Sequence, residues 1–335
     1  MRKAILLFSV TLSAVFFSTA VFAAAWTVPT NVRIVQKSNT DTNGRIYGTI
    51  QAAINSITNA SASNPYIVKV MPGIYNETVT MKAFVTVEGS GPDATTITAA
   101  ASPTVTVANN SAIRNVKIMN TASSTGRIGL SFINAAAAAE NVAIELSNGQ
   151  GEQWGVYVDE GSTVTLKNLS IKVVYGSGSG SSYGVYSGYN AGKTTILDSH
   201  ITIDGGSTGH SSELTAVRIE SIAAAIRDSV LETIGHGDHY TVQCSDTTSI
   251  TGSKVTAAGT DDAYKTAAIY SYCEIQNSEI RATNTVSPPE SVYSFSTGGI
   301  GGKGKVAASL IQGTIDIPMK IVNCWDQNYD PMPNQ

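Results

Sequence analysis

Apolar and polar positions alternate in short runs along most of this chain, and one six-position phrase returns eight times: apolar–x–Asn/Asp–small or apolar–x–apolar. The first copy is Ile113-Arg114-Asn115-Val116-Lys117-Ile118 and the last is Val306-Ala307-Ala308-Ser309-Leu310-Ile311. First positions are separated by 26, 27, 30, 30, 24, 25 and 31 residues. A recurrence of that length marks a repeat architecture, in which no unit buries its apolar face without its neighbours. Alternation over three to five residues, broken by Gly, Asn, Asp or Ser, predicts short strands joined by turns. The third position is Asn, Asp or Gly in seven copies, residue types that tolerate the left-handed conformation of a sharp bend. Ala308 departs from this and leaves its bend open.

A second strand precedes each phrase, with an apolar first residue: Val105, Leu130, Val156, Val185, Val217, Val242, Ile269 and Val292. That residue is expected to point inward and the next one outward. Stacking such units strand on strand gives an all-β, right-handed parallel β-helix of about ten coils. The Gly- and Ser-rich run 176–182 reads as a loop protruding between two coils, and the alanines 135–139 as a tightly packed coil.

The ends differ from the repeats. Residues 1–23 read as a secretion signal, with Arg2 and Lys3, an apolar stretch and Val21-Phe22-Ala23 before cleavage. An uncleaved anchor is the alternative, but the apolar run is short for a span; no other segment suits one. The segment 48–57 predicts one short helix, with Thr49 as N-cap and Ile50, Ile54 and Ile57 on one face, capping the open end of the core. The β-helix domain is taken as 24–317, and 318–335, rich in Pro and Asn, as a tail covering the other end.

Without Arg2 and Lys3 the 21 basic residues become 19 against 25 acidic, a net charge near −6. No basic cluster exists, which argues against nucleic acid as a partner. Three cysteines remain, Cys244, Cys273 and Cys324. Counted along their strands, Cys244 and Cys273 fall out of stacking register, so buried free thiols are expected over a bridge.

Candidate chemistry lies on the second strand. Its outward residues form a ladder, Thr106, Ser131, Tyr157, Tyr186, Arg218, Gln243, Tyr270 and Tyr293, with Trp154, Tyr183 and Tyr240 just before the same strand. Tyr offers an apolar ring and a polar tip, suited to a sugar face and its hydroxyls. Self-stacking Tyr also simply stabilises strands, and the two readings stand about level. All four His lie between 200 and 239. His210, His236, Asp238 and His239 sit in loops of consecutive coils, where convergence would suit a transition ion or acid–base work. Solvated loop residues are the plainer alternative, and no catalytic or metal set is firm. No cofactor is implied.

The stretches 48–54 (Gly48-Thr49-Ile50-Gln51-Ala52-Ala53-Ile54), 67–79 and 85–97 resemble the pectin methylesterase branch of the pectin-lyase-like superfamily, over about 50 residues. The resemblance implies the β-helix fold. It implies the esterase activity only where the family's motifs continue. Gln153-Trp154-Gly155-Val156 loosely matches the family's Gln-containing strand. Val174-Tyr175-Gly176-Ser177 stands where the acid should be, no Asp-Phe pair exists, and neither Gly44-Arg45 nor Gly126-Arg127 is followed by Pro-Trp. Related lyases hold calcium with acidic groups. Asp159-Glu160 and Asp261-Asp262 are the pairs here, and adjacent acids in a strand point to opposite faces, which favours turn charges. The reading is an exported binding or structural protein engaging polysaccharide or a cell-surface glycan along the Tyr face. The alternatives are a carbohydrate-active enzyme with non-standard residues, and an adhesin or appendage component. Oligomeric state, and periplasm against cell surface or exterior, stay open.

Overall fold

The computed structural model describes residues 31–38, 44–123, 126–177, 180–206, 213–221, 223–245, 247–260, 265–271, 273–284, 292–296, 304–312, 314–315, 319–326 and 328–334. The signal segment, the tip of the loop at 178–179, His210 and Asp261-Asp262 lie outside them. The chain from Asn31 onward is a parallel β-solenoid of right-handed type with almost no helix. Among the described residues every named strand pairing is parallel, and no helix is long and apolar enough to cross a membrane.

One face is a ten-stranded sheet. Its strands are β1 (Val79–Thr80), β2 (Val105–Val107), β3 (Arg127–Phe132), β4 (Gln153–Val158) and β5 (Ser182–Ser187), then β6 (Glu213–Ile219), β7 (Asp238–Gln243), β8 (Thr266–Tyr270), β9 (Val292–Ser296) and β10 (Thr314–Ile315). The remaining strands form a second, twenty-stranded sheet carrying the recurrent phrase. Its first positions stack in register from Ile113 through Ala139, Leu166, Ile196, Ile226, Ile250 and Ile275 to Val306. Its sixth positions stack likewise from Ile118 through Ile144, Ile171, Ile201, Leu231, Val255 and Ile280 to Ile311. All of these are buried. Each side chain of this size adds about 1.5–3 kcal/mol on leaving water, and only its neighbours in adjacent coils provide the apolar surroundings.

Between the two columns the chain turns. Asn115, Asn141, Asn168, Asp198, Asp228, Gly252 and Asn277 all have φ between 50° and 62°. Ala308 bends with them at φ 49°, without the local hydrogen-bonding side chain or missing Cβ that makes the conformation inexpensive. The two neighbouring coils hold it there: Asn277 N–H donates to Ala307 O at 3.2 Å, and Ala308 N–H to Val322 O at 3.0 Å. Within the bend column Asn141 donates to Asn115 Oδ1 at 2.8 Å and Asn168 to Asn141 Oδ1 at 3.1 Å.

The next residue inward completes the turn. Ser199, Ser229, Ser253, Ser278 and Ser309 are buried and stacked. Each hydroxyl donates to the carbonyl two residues back, from 2.7 Å at Ser199 to 3.0 Å at Ser253, and accepts a backbone N–H from the coil before. Leu169, Ser199, Ser229, Ser253 and Ser278 are those donors, at 3.1–3.2 Å. A buried N–H at a bend has no continuous ladder to join, and serine supplies its acceptor.

The repeat runs further than its sequence suggests. Met319–Val322 pairs in parallel with Gly304–Ala307, Asn323 bends at φ 50° and Cys324 enters the serine column, buried. Pro318 therefore does not end the solenoid, because Ile321-Val322-Asn323-Cys324 is a further copy of the phrase brought close by a short coil. From Asp326 the chain folds back, pairing Trp325 with Pro331 antiparallel.

Near the other end, α1 (Ile50–Asn55) starts at Thr49, whose hydroxyl accepts Ala52 N–H at 3.2 Å. Ile50, Ala53, Ile54 and Ile57 are buried. Glu77 accepts the N–H groups of both Ile50 and Gln51 at 2.8 Å, a partner that the local sequence does not reveal.

Cys244 and Cys273 form a disulfide, with Cα atoms 5.7 Å apart, which corrects the expectation of free thiols. Counting along a straight strand fails because the chain turns at Ser271, φ 78°, before reaching Cys273. Cys324 is buried and free.

Two expected outcomes follow from the bend. Ser253→Ala leaves Ser229 N–H buried without its acceptor and destabilises by about 1–3 kcal/mol, read by urea unfolding. Ala308→Gly stabilises by roughly 0.5–1 kcal/mol, since the left-handed penalty of about 1–2 exceeds the added chain entropy of about 0.5–1; an unchanged or lower Tm would contradict the strain.

Candidate functional site

The outer side of the ten-stranded sheet collects most of the polar and aromatic groups that the ladder singled out. Thr106, Ser131, Tyr157, Tyr186, Arg218, Gln243 and Tyr270 stand in one register column. A second column, three residues earlier, runs from Ile128 through Trp154 and Tyr183. Two outward residues three apart require the strand to break its alternation between them. That break falls at Gly155 and Gly184, where two successive residues face inward. A Cβ at Gly155 would meet Ile171 Cγ2 at 2.6 Å, and one at Gly184 would meet Ile201 Cγ2 at 2.3 Å. Glycine there lets the strand press onto the opposite sheet and turns both aromatic columns outward.

Tyr157 and Tyr186 stack with centroids 5.5 Å apart and planes at 10°. Trp154 stacks on Tyr183 at 6.2 Å and meets Tyr157 edge-on at 5.8 Å. One coil beyond, the Arg218 guanidinium lies 5.7 Å from the Tyr183 ring centre and 5.9 Å from that of Tyr186. Tyr240 and Tyr270 form a further pair at 4.6 Å, with Lys265 Nζ 5.4 Å from the Tyr270 ring. The face thus reads aromatic wall, charged centre, aromatic pair.

Two glutamates that the ladder did not include complete the centre. Glu220 accepts Tyr186 O–H at 2.6 Å and Arg218 Nε–H at 2.8 Å. Glu213 accepts from Arg218 Nη1 at 3.1 Å and Gln243 Nε2 at 2.6 Å. Arg218 Nη1 also donates to Tyr183 O–H at 3.2 Å. Glu220 was legible, because Arg218-Ile219-Glu220 continues the out-in-out alternation. Glu213 was not, because its approach depends on the strand's break at Ala216.

Burial, then the neighbouring Asp159, Glu160 and Glu220 charges, push the Tyr157 phenol above its ordinary range. Burial, then the hydrogen bond to Glu220, raises Tyr186 strongly. Burial also raises Tyr183 and Tyr240. Burial lowers the Arg218 guanidinium, but Tyr183, Glu213 and Glu220 outweigh it and hold it above its usual value. These phenols are hydrogen-bonding groups near neutral pH, not bases.

Several sequence expectations are displaced. Tyr293 pairs with Ala267, not Tyr270, because the register sets Phe295 opposite Ile269 and Ser296 opposite Tyr270; the backbone of Tyr293 continues the Trp154 column. His239 is no loop residue: it lies on β7, fully buried, with Nε2 2.9 Å from Gly235 O. Asp238 is on the same strand and accepts Lys265 N–H at 2.8 Å. His236 sits in the two-residue turn before it. Of the described members of the His/Asp set, His239 is enclosed in the solenoid and only His236 sits in the turn, and among the described residues no group of three His, Cys, Asp or Glu is placed to hold a metal. Gln153 faces the core, donating to Ser182 Oγ at 3.1 Å and accepting from buried Arg127, so it does not serve the outer face. Asp159 and Glu160 are turn charges, Asp159 accepting Glu160 N–H at 2.8 Å and Glu160 bonding Asn190 at 2.9 Å.

No family model matches the chain, and no curated protein does. Similar solved structures include a pectin methylesterase from Yersinia enterocolitica, 16% identical over 56% of this chain and 79% of that one, with a TM-score of 0.39. A carrot pectin methylesterase is 14% identical over 82% and 90%, TM-score 0.37. The mannuronan C-5 epimerase A-module of Azotobacter vinelandii is 13% identical over 83% and 90%, TM-score 0.39.

The four raised phenols fix an alkaline limit. Their folded values exceed the unfolded value near 10, so their contribution to stability is complete below about pH 10 and is lost as pH rises through the folded values. Tyrosinate absorbance is expected to rise in two phases, the later one coinciding with loss of the β-sheet circular dichroism signal. A single early phase would show that the wall is not buried as described.

Proposed function

We propose that this is an exported glycan-binding β-solenoid whose ligand lies across the Trp154–Tyr157–Tyr183–Tyr186 wall and reaches Arg218 and Gln243. The observation that carries the reading is the pair of stacked rings in register, Tyr157 on Tyr186 and Trp154 on Tyr183. Trp154, Tyr157 and Tyr186 stay partly exposed over buried Tyr183 and offer ring edges at the spacing of successive coils, with hydroxyl, guanidinium and amide groups on the same face. A sugar chain offers the complement, apolar ring faces edged by hydroxyls. Export rests on the signal-like segment 1–23 and on a disulfide, which persists in oxidising compartments. In this reading the chain works in the periplasm, at the cell surface or outside. The helix Ile50–Asn55, with its buried isoleucines, shields the first coil, and the fold-back after Asp326 shields the last.

One observation favours a second reading, a carbohydrate-active enzyme. Glu213 and Glu220 stand on either side of Arg218, within reach of anything bound on the wall. Two carboxylates beside a bound sugar suit acid–base work, provided one is released from its present partners.

The test is a polysaccharide array on residues 24–335 with product release followed in the same wells. Binding without product is expected. Tyr157→Ala with Tyr186→Ala should weaken it by about 30–150-fold, from roughly 1–1.5 kcal/mol per stacked ring. Unchanged affinity in that variant would remove the wall from the function. Product that disappears in Glu220→Gln would favour the enzyme.

A further inference from the structure

The charge arrangement around the wall says which glycans it accepts. This step rests on the glycan-binding reading above. A polyuronate is recognised by a free arginine fork or by a cationic field, and among the described residues this face has neither. Arg218 uses its Nε–Nη2 edge on Glu220, at 2.8 and 2.7 Å. Its Nη1 is shared between Glu213 at 3.1 Å and the Tyr183 hydroxyl at 3.2 Å. Both faces of bidentate recognition are therefore satisfied within the protein, and a ligand carboxylate would have to displace a glutamate already in place.

The surrounding field has the same sense. Asp159 and Glu160 close the end of β4, beside Tyr157. Asp238 stands in register with Glu213 one coil on. With Glu220 these make five carboxylates against Arg218 and Lys265 along the described part of the face. At low ionic strength, where the screening length exceeds about 10 Å, a chain bearing a carboxylate on every residue is repelled along the whole wall. The same carboxylates are good acceptors for sugar hydroxyls, and Gln243 and the tyrosines add groups indifferent to ligand charge.

We infer that the Tyr wall selects an uncharged glycan and rejects polyuronates, because Glu213 and Glu220 neutralise Arg218 while the carboxylates beside the wall, Asp159 and Glu160, repel a polyanion. Its affinity is then insensitive to salt, because no counter-ions are released on binding.

The deciding experiment measures binding of uncharged glycans (galactan, xylan and mixed-linkage glucan), of polygalacturonate and of chitosan oligomers at low and high NaCl. The protein is residues 24–335, with the Tyr157→Ala/Tyr186→Ala variant as control for the site. Wild type is expected to bind an uncharged glycan equally at both salts, and polygalacturonate at least about tenfold more weakly at low salt. Asp159→Asn with Glu160→Gln keeps the turn's hydrogen bonds and the wall intact, and should narrow that gap. If the variant's Tm equals wild type and the gap is unchanged, the electrostatic selection is wrong. Tight, salt-sensitive binding of polygalacturonate overturns the inference while leaving the glycan reading in place, as does binding confined to chitosan. No binding to any of these glycans, or binding indifferent to the tyrosine substitutions, removes the glycan reading itself and the inference with it.

Discussion

The structure depends on one requirement: each coil must turn at the same place, in a conformation that ordinary residues avoid, without leaving buried backbone groups unpaired. The bend column from Asn115 to Asn323 meets the first half of it, with φ near 50–60° at each position. The serine column meets the second half. A serine hydroxyl of one coil accepts an N–H of the previous coil and donates to its own strand, so the bends from Asn168 to Asn277 are each completed by the coil that follows. Neither half is stable in a single unit. The bend has its register only when neighbours fix it, and the hydroxyl has its donor only when another coil is present. The cooperativity of the solenoid is therefore carried by polar groups at its corner as much as by the isoleucine stacks on either side.

Fixing the corner fixes the opposite face. Once the first and sixth positions of every phrase are in register, the strands from Val79–Thr80 to Thr314–Ile315 follow, and their outward residues become columns. Chemistry then comes from which residues share a column. Tyr157 and Tyr186 stack because they occupy equivalent places 29 residues apart, and Arg218 covers Tyr183 and Tyr186 because it is the next occupant. Glu213 and Glu220, at the start and just past the end of the same strand, hold the guanidinium near both rings. Its aromatic residues are carried on sheet strands, and an aromatic surface held that way loses little entropy on binding.

Where reading the sequence went astray, the cause was in each case a local change of chain path. Matching Val292 to Ile269 puts Tyr293 in the ladder, yet the register pairs Ile269 with Phe295 and Tyr293 with Ala267. Cys244 and Cys273 seemed out of phase because a straight strand was assumed where the chain turns at Ser271. His239 was placed in a loop because Gly235 and Gly237 look like a turn, and the turn is only two residues long before β7 begins. The solenoid was ended at Pro318 because the last phrase follows after an unusually short coil.

The sequence by itself determined the architecture. A side-chain period of two, broken by Asn, Asp or Gly at a steady interval, leaves stacked parallel coils as the arrangement that buries every apolar position, and it places Tyr157, Tyr186, Arg218, Gln243 and Tyr270 in one column. Only the tertiary structure decided what that column is. The break in alternation at Gly155 and Gly184 brings Trp154 and Tyr183 beside the ladder, and a Cβ at either glycine would meet Ile171 or Ile201 of the opposite sheet. The pairing of Arg218 with Glu213, and of Cys244 with Cys273, likewise depends on where the chain departs from a straight strand. Periodicity is a property of residues taken in order. Departures from it are set by packing between coils, which the order does not contain.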